Sequence, residues 1–401
     1  MTKKLGWAVA VAITSLSHGA LADSAPAAPT LDKILAASGI TEQAYIEGGY
    51  SAYSFSAPNS TNGAPTSLNY FENRGNTFEL KKAYLQLAKQ PTEGVGGLIN
   101  VVGGSDAGWI KSYPYQNTTP VPGPTGQLSS NSFDLTQAFL QYAHGIYTIQ
   151  AGKYYTLAGA EVVNDEVNTN ISHSIANLNA IPITHTGVRL TVAPSSTLSF
   201  VLGEVNGWDQ QQARVAQKTT ELGLAFNPSA NLNWSLQGYY GDALASNTTG
   251  YNSDSKLIVT KPFITSPVPA ALTLVDTVLT LKPTAAFSVV LNGDYGSQDK
   301  AFADGSSAKW YAGDLYLNYQ FNDQWRESFR LEDFDDKDGY KLGYGQGSTK
   351  SATLTIGFAP TSASELRAEI REDKLPASVI YKGNGLTDKV GYGAVEGIYK
   401  F

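Results

Sequence analysis

From Asn131 to Thr156 the chain reads NSFDLTQAFLQYAHGIYTIQAGKYYT. Two runs of about ten residues alternate apolar and polar positions on either side of His144-Gly145, the pattern of two strands folded back on each other. Successive side chains of a strand point to opposite faces. Ala138, Leu140 and Tyr142 therefore share a greasy face, and Gln137, Phe139 and Gln141 share one that is mixed to polar. Strands of this length suit a tilted crossing of a bilayer. The unit recurs upstream: NTFELKKAYLQLA, Asn76 to Ala88, matches Asn131 to Ala143 at Asn, Phe, Leu, Ala, Leu, Gln and Ala.

The same alternation predicts sixteen strands, at 45–56, 77–89, 94–103, 132–143, 146–156, 183–193, 197–206, 218–227, 231–240, 273–282, 286–296, 309–321, 324–333, 350–359, 363–372 and 389–401. Seven short turns, such as Gln90-Pro91-Thr92-Glu93 and Asn322-Asp323, alternate strictly with eight long connections. An antiparallel membrane barrel with short periplasmic turns and long extracellular loops produces that asymmetry, and a soluble sandwich has no reason to keep it. The predicted fold class is therefore all-β, a transmembrane antiparallel barrel with both ends on the periplasmic side.

Facing agrees along the chain. Leu232, Trp234, Leu236 and Tyr240 oppose Asn233, Ser235, Gln237 and Tyr239, while Ala352, Leu354, Ile356 and Phe358 oppose Ser351, Thr353 and Thr355. A half-buried soluble sheet alternates in the same way. Size decides between them: a closed barrel of about sixteen strands is too wide for side chains to fill, so the polar face must line water and the apolar face must meet lipid. The last strand, DKVGYGAVEGIYKF, puts Val395, Tyr399 and Phe401 on one face and ends on an aromatic residue, as bacterial outer-membrane barrels do.

Composition adds the compartment. Lys3 and Lys4, an apolar run from Leu5 to Leu16 and Ala20-Leu21-Ala22 form an export signal over 1–22. The run is too short for a spanning helix, which needs roughly 20 residues. Residues 23–44 are expected to be a periplasmic leader with a short helix between Thr30 and Ser38 ended by Gly39, and 45–401 the barrel. Removing Lys3 and Lys4 takes the formal charge from -7 to -9, an acidic balance that argues against nucleic acid. The chain has no cysteine, so export brings no disulfide framework. Its 39 glycines, 23 tyrosines and 16% charged residues suit a barrel with tyrosine girdles, although composition alone allows a secreted sandwich or β-helix.

Several stretches carry a family likeness: SFDLTQAFLQYA, YTIQAGKYYTLAGAEVVNDEVNTNISHS, AIPITHTGVRLTV, LGEVNGWD and, near the start, LDKILAASGITEQAYIEGGYSAYSF. With their Gln-Ala, AGK, GAE, P-x-THTG and VNGWD elements they resemble the OmpL-like β-barrel porins, the family called β-barrel porin-2. The likeness is clear over the first half of the chain and diffuse afterwards. It implies an outer-membrane channel and carries no binding residues across.

The segment 157–182 is the candidate constriction. It is too long for a turn and concentrates Glu161, Asp165 and Glu166 with Asn164, Asn168, Asn170, Asn177 and Asn179. A loop of this kind either folds into the lumen or stays solvated outside. Alternation places Arg189, Arg326, Arg330, Arg367 and Arg371 inward, with Asp276, Asp294, Asp314, Glu332 and Glu369. Carboxylates then gather on three successive strands beside a sector of guanidiniums, either as a field across the pore or as ion pairs stiffening the wall. The four histidines have no metal-ligand spacing, and no third member positions Ser172-His173 or His185 for hydrolysis, so neither enzyme, metal nor cofactor is expected. Trp109, Trp208 and Trp310 read as interfacial girdle. The leading function is passive diffusion of small hydrophilic solutes across the bacterial outer membrane, with lipid and solute as partners and a homo-oligomer allowed. The alternative is a barrel with a plugged lumen whose loops bind a partner.

Overall fold

The computed structural model describes residues 35, 37–54, 76–108, 110, 133–213, 218–245, 268–342, 345–378, 380–382 and 385–401. Its strands are β1 (Thr41–Tyr53), β2 (Thr77–Lys89), β3 (Gly94–Gly103), β4 (Phe133–His144), β5 (Tyr147–Tyr155), β6 (Thr184–Ser195), β7 (Leu198–Val205) and β8 (Thr219–Ser229). They continue as β9 (Leu232–Ala245), β10 (Val268–Leu281), β11 (Phe287–Gln298), β12 (Ala308–Gln320), β13 (Trp325–Asp336), β14 (Gly347–Thr361) and β15 (Ser364–Lys374). A small hairpin of β16 (Ile380–Lys382) and β17 (Gly385–Thr387) precedes β18 (Lys389–Lys400). All but the hairpin form one closed barrel in which every strand pairs with its neighbour in the chain, and β18 pairs with β15 and with β1. Closure is antiparallel, running from Tyr45 opposite Lys400 to Tyr53 opposite Tyr392.

Each expected strand corresponds to a barrel strand. β10 starts at Val268 rather than 273, because the prolyl residue in VPAAL reads as a break yet is tolerated at the beginning of a strand. β13 runs on to Asp336 through LEDFDD, acidic residues that look like loop but enter a strand whose inner face is polar. The hairpin β16–β17, lying in the last long connection, was not foreseen. Of the expected leader helix, Leu35, Ala37 and Ser38 are helical, Gly39 has φ 70°, and the remainder and the export signal lie outside the described residues.

The radial order is the reverse of a soluble protein's. Outward-pointing Phe78, Val95, Leu140, Ile370 and Val395 are more than half exposed. Inward-pointing Gln137, Gln141, Asp276, Thr353 and Arg330 are buried. Such a surface is stable only against hydrocarbon. The tryptophans depart from expectation. Trp310 is fully buried inside the barrel, its Nε1 donating to the Ala180 carbonyl at 3.2 Å, and Trp208 packs edge-on against it, so neither is girdle. Trp109 lies outside the described residues.

Replacing Ile370, mid-strand on the outer face, by lysine is expected to cost about 2–4 kcal/mol. Denaturant unfolding of the barrel in lipid vesicles measures this.

Candidate functional site

Between Tyr155 and Thr184 the chain turns into the barrel. Most side chains of 158–183 are buried, and they meet apolar positions of the inner wall. Ala158, Ile175, Ala176, Ala180 and Ile181 pack on Tyr239, Leu272, Leu274, Trp310, Ala312 and Phe334, inward residues of β9, β10, β12 and β13. On the other side Val163, Leu178 and Ile183 pack on Tyr45, Tyr84, Val102 and Ile398. A single helical turn, α1 (Ile175–Asn179), is capped by Ser174, whose hydroxyl accepts the Asn177 N–H. Gly159, with φ 90°, makes the first bend where a side chain would meet Ile181.

Cross-strand pairing then lays the wall's charges out in rows. Asp314, Glu332, Ser351 and Asp373 stand opposite one another on β12 to β15, and two residues along, Tyr316, Arg330, Thr353 and Arg371 form the next row. Two further along come Asn318, Ser328, Thr355 and Glu369. An extended segment offers N–H and C=O groups in alternation, and these rows satisfy them. Glu369 accepts from the N–H groups of Ile171 and Ser172 at 2.7 and 3.1 Å. Glu332 accepts from Ile175 N at 2.6 Å, and Glu161, from the loop itself, accepts from Ser174 N at 2.8 Å. Arg330 donates to the Ser172 carbonyl at 2.6 Å, Arg371 to that of His173 at 2.8 Å and Arg326 to that of Thr169 at 2.7 Å. Buried backbone groups away from water need such partners.

The segment 163–168 crosses to β1, β2, β15 and β18. Lys82 donates to the Val163 carbonyl and to Asp165. The Tyr45 hydroxyl accepts from Asp165 N, and Arg367 donates to the Asp165 carbonyl. Burial opposes ionisation of Asp165, but Lys82 and His173 beside it hold the carboxyl well below the usual range. Burial instead dominates at Asp106, in the turn after β3, and pushes it up to about 7 against the pull of Lys82 at 3.7 Å.

The structure brings nearly all the sequence-expected residues together. Glu161 pairs with Arg330 at 2.6 Å, and Glu166 meets Lys400 at 3.1 Å and Gln43 at 3.0 Å. Arg189 makes a two-pronged pair with Glu221 on β8, away from the β12–β15 rows. Arg326 pairs with Glu365 at 2.5 Å, Arg367 with Glu365 at 2.8 Å, and Arg371 with Asp373 at 2.7 Å. Asp276, Asp294 and Asp314 lie on the adjacent strands β10, β11 and β12, and among the described residues no lysine or arginine pairs with them; Asn292 donates to Asp276 at 2.8 Å. Sequence reasoning missed Glu47, Lys81, Lys82, Glu221, Glu365, Asp373 and Glu396. Parity alone would have put Glu221, Glu365 and Asp373 inside, whereas Lys81 and Lys82 are both buried because a bulge at Glu47/Gly48 breaks the alternation.

Among the described residues, Glu47, Asp106 and Asp165 are the one carboxylate group close enough to hold a metal, and the Lys82 ammonium already sits against Asp165 and Asp106. His173 lies 3.3 Å from Asp165, while the Ser172 hydroxyl accepts from Arg330 and Arg371. His185 stacks on Tyr239, and His144 meets Glu93 in a turn.

Residues 39–401 match the family described as "putative beta-barrel porin-2, OmpL-like", so the likeness extends through the half where it was diffuse to the eye. No curated protein matches the sequence. Solved structures resemble the fold at low identity. The outer-membrane channel DcaP of Acinetobacter baumannii has a TM-score of 0.55 at 12% identity, covering 90% of this chain and 97% of its own. An anion-selective porin from Comamonas acidovorans gives 0.57 at 9%, covering 90% and 99%. OprB of Pseudomonas putida gives 0.55 at 12%, covering 92% and 96%.

Two outcomes follow from the buried contacts. Glu369→Leu strands two backbone N–H groups and should cost about 2–4 kcal/mol in vesicle unfolding. Folded Asp106 keeps its proton up to about pH 7, whereas the unfolded residue releases it near pH 4, so stability falls as pH rises through that window. Asp106→Asn should therefore melt higher than the parent at about pH 8, an advantage that disappears at about pH 4.

Proposed function

The chain belongs to the OmpL-like β-barrel porin-2 family, an outer-membrane channel family, and on that premise we propose that it passes small hydrophilic solutes by diffusion through a lumen narrowed by residues 156–183. The observation that supports this most is the tie between that loop and the inner faces of β1, β2, β12, β13, β14 and β15, through Lys82, Tyr45, Tyr316, Arg330, Thr355 and Glu369. A loop held at so many points is a fixed constriction. In this reading Glu161, Asp165, Glu166 and the inward arginines and carboxylates act chiefly by holding the loop, and those that water reaches bias the ions that pass. The reading includes transport without a cofactor or chemical turnover. It also includes self-association, a state named for one OmpT form of Vibrio cholerae.

Folded protein in a planar bilayer is expected to give discrete conductance steps. Deleting residues 160–181 should raise the step about two- to fivefold, since a narrower pore conducts less. A folded barrel that carries no current would overturn the proposal.

A further inference from the structure

On the outer face of the barrel three lysines line up. Lys350, Lys374 and Lys389 stand opposite one another on the adjacent strands β14, β15 and β18. Each lies an even number of residues from Ile356, Ile370 or Val395, so all three share the lipid-facing side, at the rim that carries the long connections. That rim is the outer one in barrels of this kind. All three are exposed. The row continues on β13 as Asp333, 3.3 Å from Lys350, and Glu372, one outward position below Lys374, meets Lys389 at 2.9 Å. Asp335, beyond Asp333, is met by Lys337 at 3.1 Å. Asp373 and Asp388, next in sequence to two of the lysines, alternate to the inner side, where Leu375, opposite Asp388, is buried. Among the described residues no carboxylate pairs with Lys374. Solvent-exposed pairs such as these hold weakly, so a group of higher charge displaces them.

Beneath the row, on the same strands, the outer face is hollowed. An open groove of ≈ 780 Å³ crosses β13, β14, β15, β18, β1 and β2. Gly48, Ala368 and Gly397 leave its floor low, between Phe78 and Leu80 on one side and Trp325 and Phe358 on the other. Its lining also includes Glu79, Arg367 and Glu396, which alternation turns to the inner side. Val395, at the groove, is six residues along β18 from Lys389. Strands rise about 3.4 Å per residue and tilt about 40°, so the groove opens roughly 15 Å deeper than the lysines, one leaflet of a hydrocarbon core about 30 Å thick. Between the two, the outward residues of β18 are Gly391 and Gly393, so no side chain of that strand stands in the way.

We propose that this face binds lipopolysaccharide of the outer leaflet, with a phosphate seated on Lys350, Lys374 and Lys389 and an acyl chain lying over Gly391 and Gly393 into the groove. The site needs only the barrel's place in the outer membrane, not the passage of solutes. Lysine ammoniums hold phosphate as point charges, and a phosphate carries more charge than either carboxylate that faces Lys350 and Lys389. Lysines at a membrane surface attract anionic headgroups, and three on adjacent strands act on one headgroup together. A headgroup at this rim belongs to the outer leaflet, which selects the phosphorylated glycolipid over the phospholipids of the inner one.

The test uses the folded barrel in detergent micelles, with heat-dependent gel mobility as the check on folding and phosphorylated lipid A as the probe. Lys350→Gln, Lys374→Gln and Lys389→Gln together should weaken lipid A binding at least about tenfold. Lys282→Gln, exposed at the opposite rim, should leave it unchanged. Removing the phosphates of lipid A should cost the parent protein a similar factor, and Ala368→Phe, which fills the groove, should weaken binding about threefold in a barrel that still folds. Parent-like binding by the triple variant, by dephosphorylated lipid A or by Ala368→Phe would overturn the assignment. So would phosphatidylglycerol that binds as tightly as lipid A, or a parent protein that buries this face against a second copy and takes up no lipid A.

Discussion

A peptide backbone in hydrocarbon has no water to bond with, and this chain answers by closing β1 on β18, so that no strand of the barrel is left with an open edge. Closure fixes the rest. With every strand two-sided, apolar side chains must take the lipid face, and the polar half of each alternation is left to the lumen. Inside, desolvated groups need partners as much as the outer backbone does.

That second demand explains the loop at 156–183. It behaves as a bound ligand of its own wall, a short extended segment whose carbonyls meet Arg326, Arg330 and Arg371 and whose N–H groups meet Glu332 and Glu369. The rows alternate in sign because inward residues on neighbouring strands stand directly opposite each other, and the loop's donors and acceptors alternate at nearly the same spacing. Ion pairs buried at such a junction are poor sources of net stability but strong sources of register, since moving the loop by one residue would strand several charges at once. The inward arginines Arg326, Arg330 and Arg371 pair with carboxylates and, in pairing, hold the loop inside the barrel.

Much of this was legible beforehand. Parity along β9, β12 and β14 placed Gln237, Asp314 and Thr353 inside without any coordinates, because a period of two is insensitive to what lies across the lumen. Two kinds of information were not local. Opposite Glu47/Gly48 and Asn100/Val101 the partner strands carry one extra residue, Lys81 and Thr136, which shifts the phase, and nothing in ELKKAY or DLTQAF announces where that residue falls. The loop's path depends on partners more than a hundred residues away, such as Ile171 with Glu369, so its acidic and asparagine-rich composition fits equally well with solvent. Trp310 misled for a related reason: near a strand end it resembles a girdle residue until the loop carbonyl of Ala180 supplies its acceptor.

The loop crosses the lumen and is seated on the β13–β15 wall. The chain contains no cysteine, so introduced thiols report without background. The amide of Asn170 lies 2.7 Å from the Thr355 hydroxyl, and a chain carrying both Asn170→Cys and Thr355→Cys should form an intramolecular disulfide in the folded barrel in outer membranes. Two free thiols in the folded protein, both modified by a bulky reagent added outside the cell, would mean that the loop lies outside the pore and would contradict the account.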